Sequence, residues 1–230
     1  MLLFSPAAAE DEAVPFEAKE GQPVVTKIGN HRYRLGEILI DSKAREIRIP
    51  VVVNMREGGP IEYILVHENG KVHESILTTA TSPLQLQIAF QLLNFKSGDG
   101  DLFNVLIPPE LLQKEGGNAS DRGDSVNVHV RFDGEERDVD AAQFIIDGAT
   151  ANPMTSEPWV YTGSRIEETV FMAEVEGSIV AIYLDHLAML NMTREGADRD
   201  ERWGANGDAV PEIGTKGVLV FSLAEKNVTQ

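Results

Sequence analysis

Glu62-Tyr63-Ile64-Leu65-Val66-His67-Glu68-Asn69-Gly70-Lys71-Val72-His73-Glu74-Ser75-Ile76-Leu77-Thr78 is the stretch on which the fold turns. Two β-rich runs, Ile61 to His67 and Val72 to Thr78, flank Asn69-Gly70. That dipeptide suits a two-residue type I′ turn, because both central positions there need positive φ. The reading is an antiparallel hairpin in which Glu68 faces Lys71, His67 faces Val72, Val66 faces His73 and Leu65 faces Glu74. Side chains alternate across a strand, so His67 and Glu74 share one face while His73, Glu68 and Lys71 share the other. Imidazoles on opposite faces cannot ligate one ion.

The same signals recur on both sides. Tyr33 to Ile40 and Glu46 to Val53 flank a polar turn over 41–45, and Val126 to Phe132 and Glu135 to Val139 flank Asp133-Gly134. Val170 to Val175 and Ile179 to Leu184 surround Gly177-Ser178. In that register Val175 faces Val180, Ala173 faces Ile182 and Phe171 faces Leu184, one wholly apolar face. Gly217 to Leu223 reads as a final strand. One helix interrupts them. Ser82 is its N-cap and Pro83 its first residue, where a missing N–H costs nothing. Leu84, Leu86, Ile88, Phe90, Leu92 and Leu93 cover most of its surface, leaving a narrow polar stripe of Gln87, Gln91 and Asn94. Pro108 to Gln113, Asp140 to Ile146 and Asp185 to Leu190 are shorter helix candidates. The expected fold class is α+β and β-rich: antiparallel hairpins packed around one buried amphipathic helix, about residues 83–95, within one globular domain over 23–230.

Composition narrows the chemistry. The 230 residues hold 37 Asp+Glu against 20 Lys+Arg, a net charge of −17, and no cysteine. Disulfides, thiolate zinc sites, cysteine nucleophiles and thiolate-held iron–sulfur clusters are therefore excluded. Such a charge repels phosphate backbones, and the basic residues do not cluster, so no nucleic-acid partner is expected. No apolar run reaches the roughly 18–20 residues of a spanning helix, so no transmembrane segment is expected. Met1 to Glu10 ends in a small-residue Ala-x-Ala pattern before Glu10-Asp11-Glu12. Leu2 to Phe4 is far shorter than the roughly 7–15-residue apolar segment of a working signal. Residues 1–22 thus read either as the remnant of a signal peptide whose start lies upstream of Met1, or as a disordered acidic leader.

Three clusters can carry chemistry. His67, Lys71, His73 and Glu74 lie in the opening stretch, with Glu74 on the largely apolar face of Tyr63, Leu65 and Ile76. A carboxylate there needs a partner, and diagonal His67 could supply it. No HExxH is present, so a His/Glu metal would lack the spacing of a zinc protease. Trp159, Tyr161 and Ser164 form the second cluster, but Thr162 and Ile166 break the G-x-S-x-G of a nucleophile elbow. Two aromatics on one strand face are the usual material of a core. The third, Asp198-Arg199-Asp200-Glu201, like Asp99-Gly100-Asp101, lacks the spacing of a calcium loop and reads as solvated. No phosphate-binding glycine pattern occurs. His31, His129 and His186 stand alone.

Taken together, Glu62-Tyr63, Val66-His67-Glu68-x-Gly70-Lys71-x-His73-Glu74-Ser75, the leucine-rich helix over 83–93 and Pro158-Trp159-x-Tyr161-x-Gly163-Ser164 resemble the YdjY-like domain family of bacterial exported proteins. Glu176 to Tyr183, and Trp203, Asn206, Pro211 and Gly214-Thr215, continue the likeness, which runs from about residue 25 to 222. The resemblance implies export to the periplasm or medium and no established activity. A ferredoxin-like label has been attached to members, but this chain has no thiolates to hold a cluster, nor the cysteine of a lipoprotein anchor. The expected function is a non-enzymatic binding or accessory module for a partner protein or small ligand, without cofactor. The alternative is a hydrolase or metal-assisted enzyme using His67, His73 and Glu74, with Glu as base and His orienting or ligating.

Overall fold

The computed structural model describes residues 24–98, 102–107, 111, 114 and 122–224. The leader over 1–22, the acidic turn at 99–101 and most of the short helix expected over 108–113 lie outside the described residues. From the amino side, β1 (Val25–Gly29), β2 (Arg32–Leu35) and β3 (Ile38–Asp41) zigzag antiparallel into the long β4 (Glu46–Val53). Next come β5 (Tyr63–His67), β6 (Ser75–Thr79) and the helix α1 (Pro83–Leu92). After β7 (Ser125–Phe132) follow the short strands β8 (Val139–Asp140), β9 (Ile145–Asp147), β10 (Asn152–Pro153), β11 (Trp159–Tyr161), β12 (Ile166–Glu167) and β13 (Val170–Phe171). The five-residue helix α2 (Met172–Glu176) leads into β14 (Ser178–Ala181), β15 (Leu190–Asn191), β16 (Trp203–Ala205) and the long β17 (Lys216–Leu223).

Eight strands close into a barrel in the order β4-β17-β7-β11-β15-β14-β5-β6, and β6 pairs back to β4 through Val52↔Thr78 and Val53↔Leu77. Closure leaves these strands without a free edge, which is how all-β folds avoid unpaired backbone. The first part of β4 pairs with β3 and its end with β6, so β1 to β3 leave the barrel as an antiparallel wing. Alternation builds the inner face: Leu219 pairs with both Ile49 and Val130, and Phe221 with both Ile47 and Val128. All six are buried.

The β-rich expectation holds, but the arrangement around a central helix does not. The strands pack on one another, and α1 lies against one end of the barrel. Ser82 caps it by accepting from the Gln85 amide at 3.3 Å, and Pro83 opens it. Leu86, Ala89, Phe90 and Leu93 are buried, while Leu84 and Leu92 are 46% and 53% exposed, so the helix has one buried face. Phe90 stacks on Tyr161 at 4.5 Å and meets the edge of Phe221 at 5.3 Å. Arg45, entering β4, donates to the carbonyls of Leu93 and Asn94 at the other end of α1. Fully burying Leu86 and Phe90 is worth roughly 1.5–3 kcal/mol each.

Two expected hairpins are also corrected. β5 and β6 run parallel, with Tyr63 beside Ser75 and His67 beside Thr79, and a 3₁₀ turn over Val72–Glu74 carries the chain back. Tyr63 to Val66 and Ser75 to Leu77 are buried without alternation, the pattern of strands covered on both faces. Gly70 does not take the positive φ of a type I′ turn. Likewise, residues 172–176 are helix rather than strand, with Gly177 at φ +72° as left-handed cap. Val175 is consequently exposed, and β14 pairs with β5 and β15 instead. β7 and β8 do pair antiparallel, around a loop wider than Asp133-Gly134. Asp140 caps a 3₁₀ turn over Ala141–Phe144, whereas 185–189 forms turns and bends, no helix, and Leu190 opens β15.

Candidate functional site

The parallel return of 68–74 decides which candidates meet. Tyr63, at the start of β5, is buried, and its hydroxyl accepts from Lys71 Nζ at 2.8 Å and donates to Asp185 Oδ2 at 2.8 Å. Lys71 Nζ stands 4.0 Å from the same carboxylate oxygen. Asp185 is itself fixed, because Oδ1 accepts from the Leu187 amide and its own amide donates to Asn191 Oδ1, both at 2.8 Å. Burial, reinforced by the Asp185 charge, pushes the Tyr63 phenol far above its ordinary range. The Tyr63 hydroxyl is thus engaged both as donor, to Asp185, and as acceptor, from Lys71.

Glu62, one residue earlier, is held by its backbone: its amide donates to the Glu74 carbonyl at 3.0 Å and its carbonyl accepts from Ile182 at 2.7 Å. Its carboxyl lies within electrostatic reach of that of Glu74. Burial, then the Glu74 charge, raises the Glu62 carboxyl above the ordinary value, and Lys71 opposes the rise. On its other side Glu74 Oε1 lies 3.1 Å from Nε2 of His73, whose side chain is 74% exposed. Lys71, His73 and Glu74 thus belong to one polar cluster with Glu62, Tyr63 and Asp185.

The remaining candidates lie elsewhere. His67 does not pair with Glu74; its Nδ1 accepts from the Asn69 amide at 3.2 Å and closes its own turn. The shared face of His67 and Glu74 belonged to the antiparallel register and goes with it. Trp159 and Tyr161 are core residues, 1% exposed each. The Tyr161 hydroxyl donates to Gln87 Oε1 at 2.5 Å, and burial raises it above the ordinary phenol range. Ser164 Oγ donates to the Leu187 carbonyl at 2.6 Å and accepts from the Ala173 amide at 3.1 Å.

An open cleft of about 600 Å³ borders the cluster. Asn54, Met55, Arg56 and Glu57, which follow β4, form one side. Val72 and His73 form another, and Glu212 and Ile213 the third. Asn54 Nδ2 donates to the carbonyls of Val72 at 2.6 Å and Ser75 at 2.8 Å, tying the walls together. Arg56, Glu212 and Asp185 carry no local sequence signal, because segments more than a hundred residues apart meet here, and Glu62 reads from sequence only as part of a strand. Among the described residues no group of three or more His, Asp or Glu side chains is placed to hold a metal ion. The His73–Glu74 pair, with an exposed imidazole and a half-buried carboxylate, stands beside a cleft that can hold a ligand of modest size. No helix among the described residues is long and apolar enough to cross a membrane.

A family model described as the YdjY domain matches residues 38–222. That span takes in the barrel, the cleft and the polar cluster, and leaves out β1 and β2. No curated protein and no solved structure matches the chain.

Proposed function

The chain belongs to the YdjY domain family, and from that premise we propose that it is a non-enzymatic binding or accessory module, exported by a bacterium, that takes a ligand in the cleft beside His73. One observation carries the reading. The groups most apt for covalent chemistry are committed inside the fold, Tyr63 between Lys71 and Asp185 and Ser164 between Leu187 and Ala173, while the cleft stays open. Export rests on the Ala-x-Ala leader and on the family likeness. The His73–Glu74 contact favours a second reading, a general-base enzyme working on the cleft.

The test is turnover. Purified protein is incubated with ester, phosphate, peptide and glycoside substrates beside its Glu74→Gln and His73→Ala variants, and no activity above the variants is expected. A turnover that falls about 100-fold in either variant, the scale of a lost acid–base group, replaces the binding reading with the enzyme. Fractionation of host cells decides localisation: periplasm or medium is expected, and retention in the cytoplasm overturns export.

A further inference from the structure

The cleft holds a guanidinium that the fold satisfies only in part. Arg56 donates through Nη2 to the Gly207 carbonyl at 2.8 Å and pairs through Nη1 with Glu212. Its Nε–H is buried and meets no acceptor among the described residues. A guanidinium presents its hydrogens as a fork matched to both oxygens of one carboxylate. Glu212 takes one prong of that fork and is itself 82% exposed, so it is a weak internal occupant of a stronger site. A carboxylate that displaces it would meet the guanidinium end-on, through Nη1 and the second Nη2 hydrogen, while Nε stays buried.

Displacement has a consequence for charge. Glu212, released from Arg56, would stand unpaired on a cleft that also carries Glu57, in a chain of net charge −17. A purely anionic ligand would worsen that balance, and a ligand with its own cation would restore it. Met55, Val72 and Ile213 add an apolar wall, with Ile213 65% exposed. The volume, about 600 Å³, falls within the roughly 300–1,000 Å³ range of small-molecule sites.

We infer that the cleft binds an apolar zwitterion, an aliphatic amino acid or short peptide, with its carboxylate on Arg56, its ammonium between Glu57 and Glu212, and its side chain on Met55, Val72 and Ile213. This assignment rests on the binding reading above and gives it a ligand class.

Calorimetric titration of the full chain tests it with leucine, leucyl-leucine, N-acetylleucine, leucinamide and glycine. Leucine or leucyl-leucine is expected to bind, whichever is tighter identifying free amino acid or peptide as the source. Removing the ammonium (N-acetylleucine), the carboxylate (leucinamide) or the side chain (glycine) is expected to weaken binding about tenfold or more. Arg56→Lys keeps the charge and loses the fork, and a similar loss is expected. Glu212→Gln is expected to strengthen N-acetylleucine binding, because the internal competitor is gone and that ligand has no ammonium to lose. Equal binding of leucine and leucinamide, unchanged affinity in Arg56→Lys, or no binding of any of the five at millimolar concentration overturns the assignment. The ligand series on unaltered protein stands if Arg56→Lys fails to fold. Failure of the ligand class leaves the binding reading to the turnover assay, which alone overturns it.

Discussion

Gly70 and Gly177 stand back to back: a Cβ on Gly70 would lie 3.1 Å from the Gly177 Cα, and one on Gly177 would lie 2.9 Å from the Gly70 Cα. The contact presses the return segment over 68–74 against the junction of α2 and β14. It explains the glycine of Asn69-Gly70 by close backbone approach, where a hairpin turn would have explained it by positive φ.

The two explanations differ in outcome. In a type I′ turn Gly70→Asn would be well tolerated. Here any side chain at 70 meets the Glu176 carbonyl at 2.8 Å, so Gly70→Ala and Gly70→Asn are both expected to destabilise by about 1–3 kcal/mol, the scale of overpacking. Gly177→Ala is expected to cost more, since its φ of +72° adds left-handed strain. Urea midpoints of the three variants provide the check, and an unaltered Gly70→Asn would contradict the close approach.

Ser164 has the setting of a latch. With φ +60° and both hydrogen-bonding roles of its hydroxyl used, it joins the loop after β11 to the Leu187 carbonyl and to the start of α2. Ser164→Ala is expected to lose about 1–3 kcal/mol of stability, the range for leaving partly buried partners unsatisfied, and to leave ligand binding unchanged once folded. Thermal melts with a binding titration test this. A stable variant with lost binding would return Ser164 to the functional candidates.

What could be read in the chain beforehand follows the range of the interactions involved. The Ser82-Pro83 cap and the alternating β4, β7 and β17 are local patterns, and they stand where expected. Barrel closure depends on Val52 meeting Thr78 and on β14 meeting β5, pairings between distant segments that no local pattern encodes. The mostly apolar segment over 170–175, interrupted by Glu174, suits a strand as well as a helix with one buried face, and only the docking of Ala173 with Gly177 as cap chooses helix. At the site, Lys71, His73 and Glu74 stand close together in sequence. Arg56 and Glu212 do not, since their pairing joins positions 156 residues apart.

Two carboxyl groups are shifted in opposite directions and so act on opposite limbs of the pH profile, with Asp41, also lowered, acting on the same limb as Asp147. Glu62 is raised by burial and by Glu74, so its proton is held more firmly in the fold than in the unfolded chain. Its contribution is full below the unfolded value near 4.5 and is lost as pH rises through the raised folded value. Asp147 is lowered by its hydrogen bonds from Arg202, the shorter at 2.8 Å. That contribution is full above 3.8 and is lost as pH falls through the depressed value. Urea midpoints across acid and neutral pH are expected to show Glu62→Gln with a flatter decline above pH 4.5 and Asp147→Asn with a flatter decline below 3.8. A steeper alkaline decline in Glu62→Gln would reverse the sign assigned to it.

The Tyr63 hydroxyl bridges Lys71 and Asp185, and its worth can be separated from that of the charges it joins. Tyr63→Phe removes both 2.8 Å hydrogen bonds and leaves the ammonium and carboxylate 4.0 Å apart. Lys71→Met leaves Asp185, with 11% of its side chain exposed, held by Tyr63 and the Leu187 amide alone. An exposed pair is worth about 0–1 kcal/mol, while breaking a buried one costs about 3–5 kcal/mol. With Lys71 at 34% exposure, each single variant is expected between these limits, at about 1–3 kcal/mol. Because Lys71 acts through the phenol, Tyr63→Phe with Lys71→Met is expected to cost less than the sum of the two, with a coupling of about 0.5–3 kcal/mol. Additive losses would mean that the phenol transmits nothing between the charges. Ligand binding measured on the same set separates structure from function: a Lys71→Met protein that keeps its stability and loses its ligand would move Lys71 from the scaffold into the site.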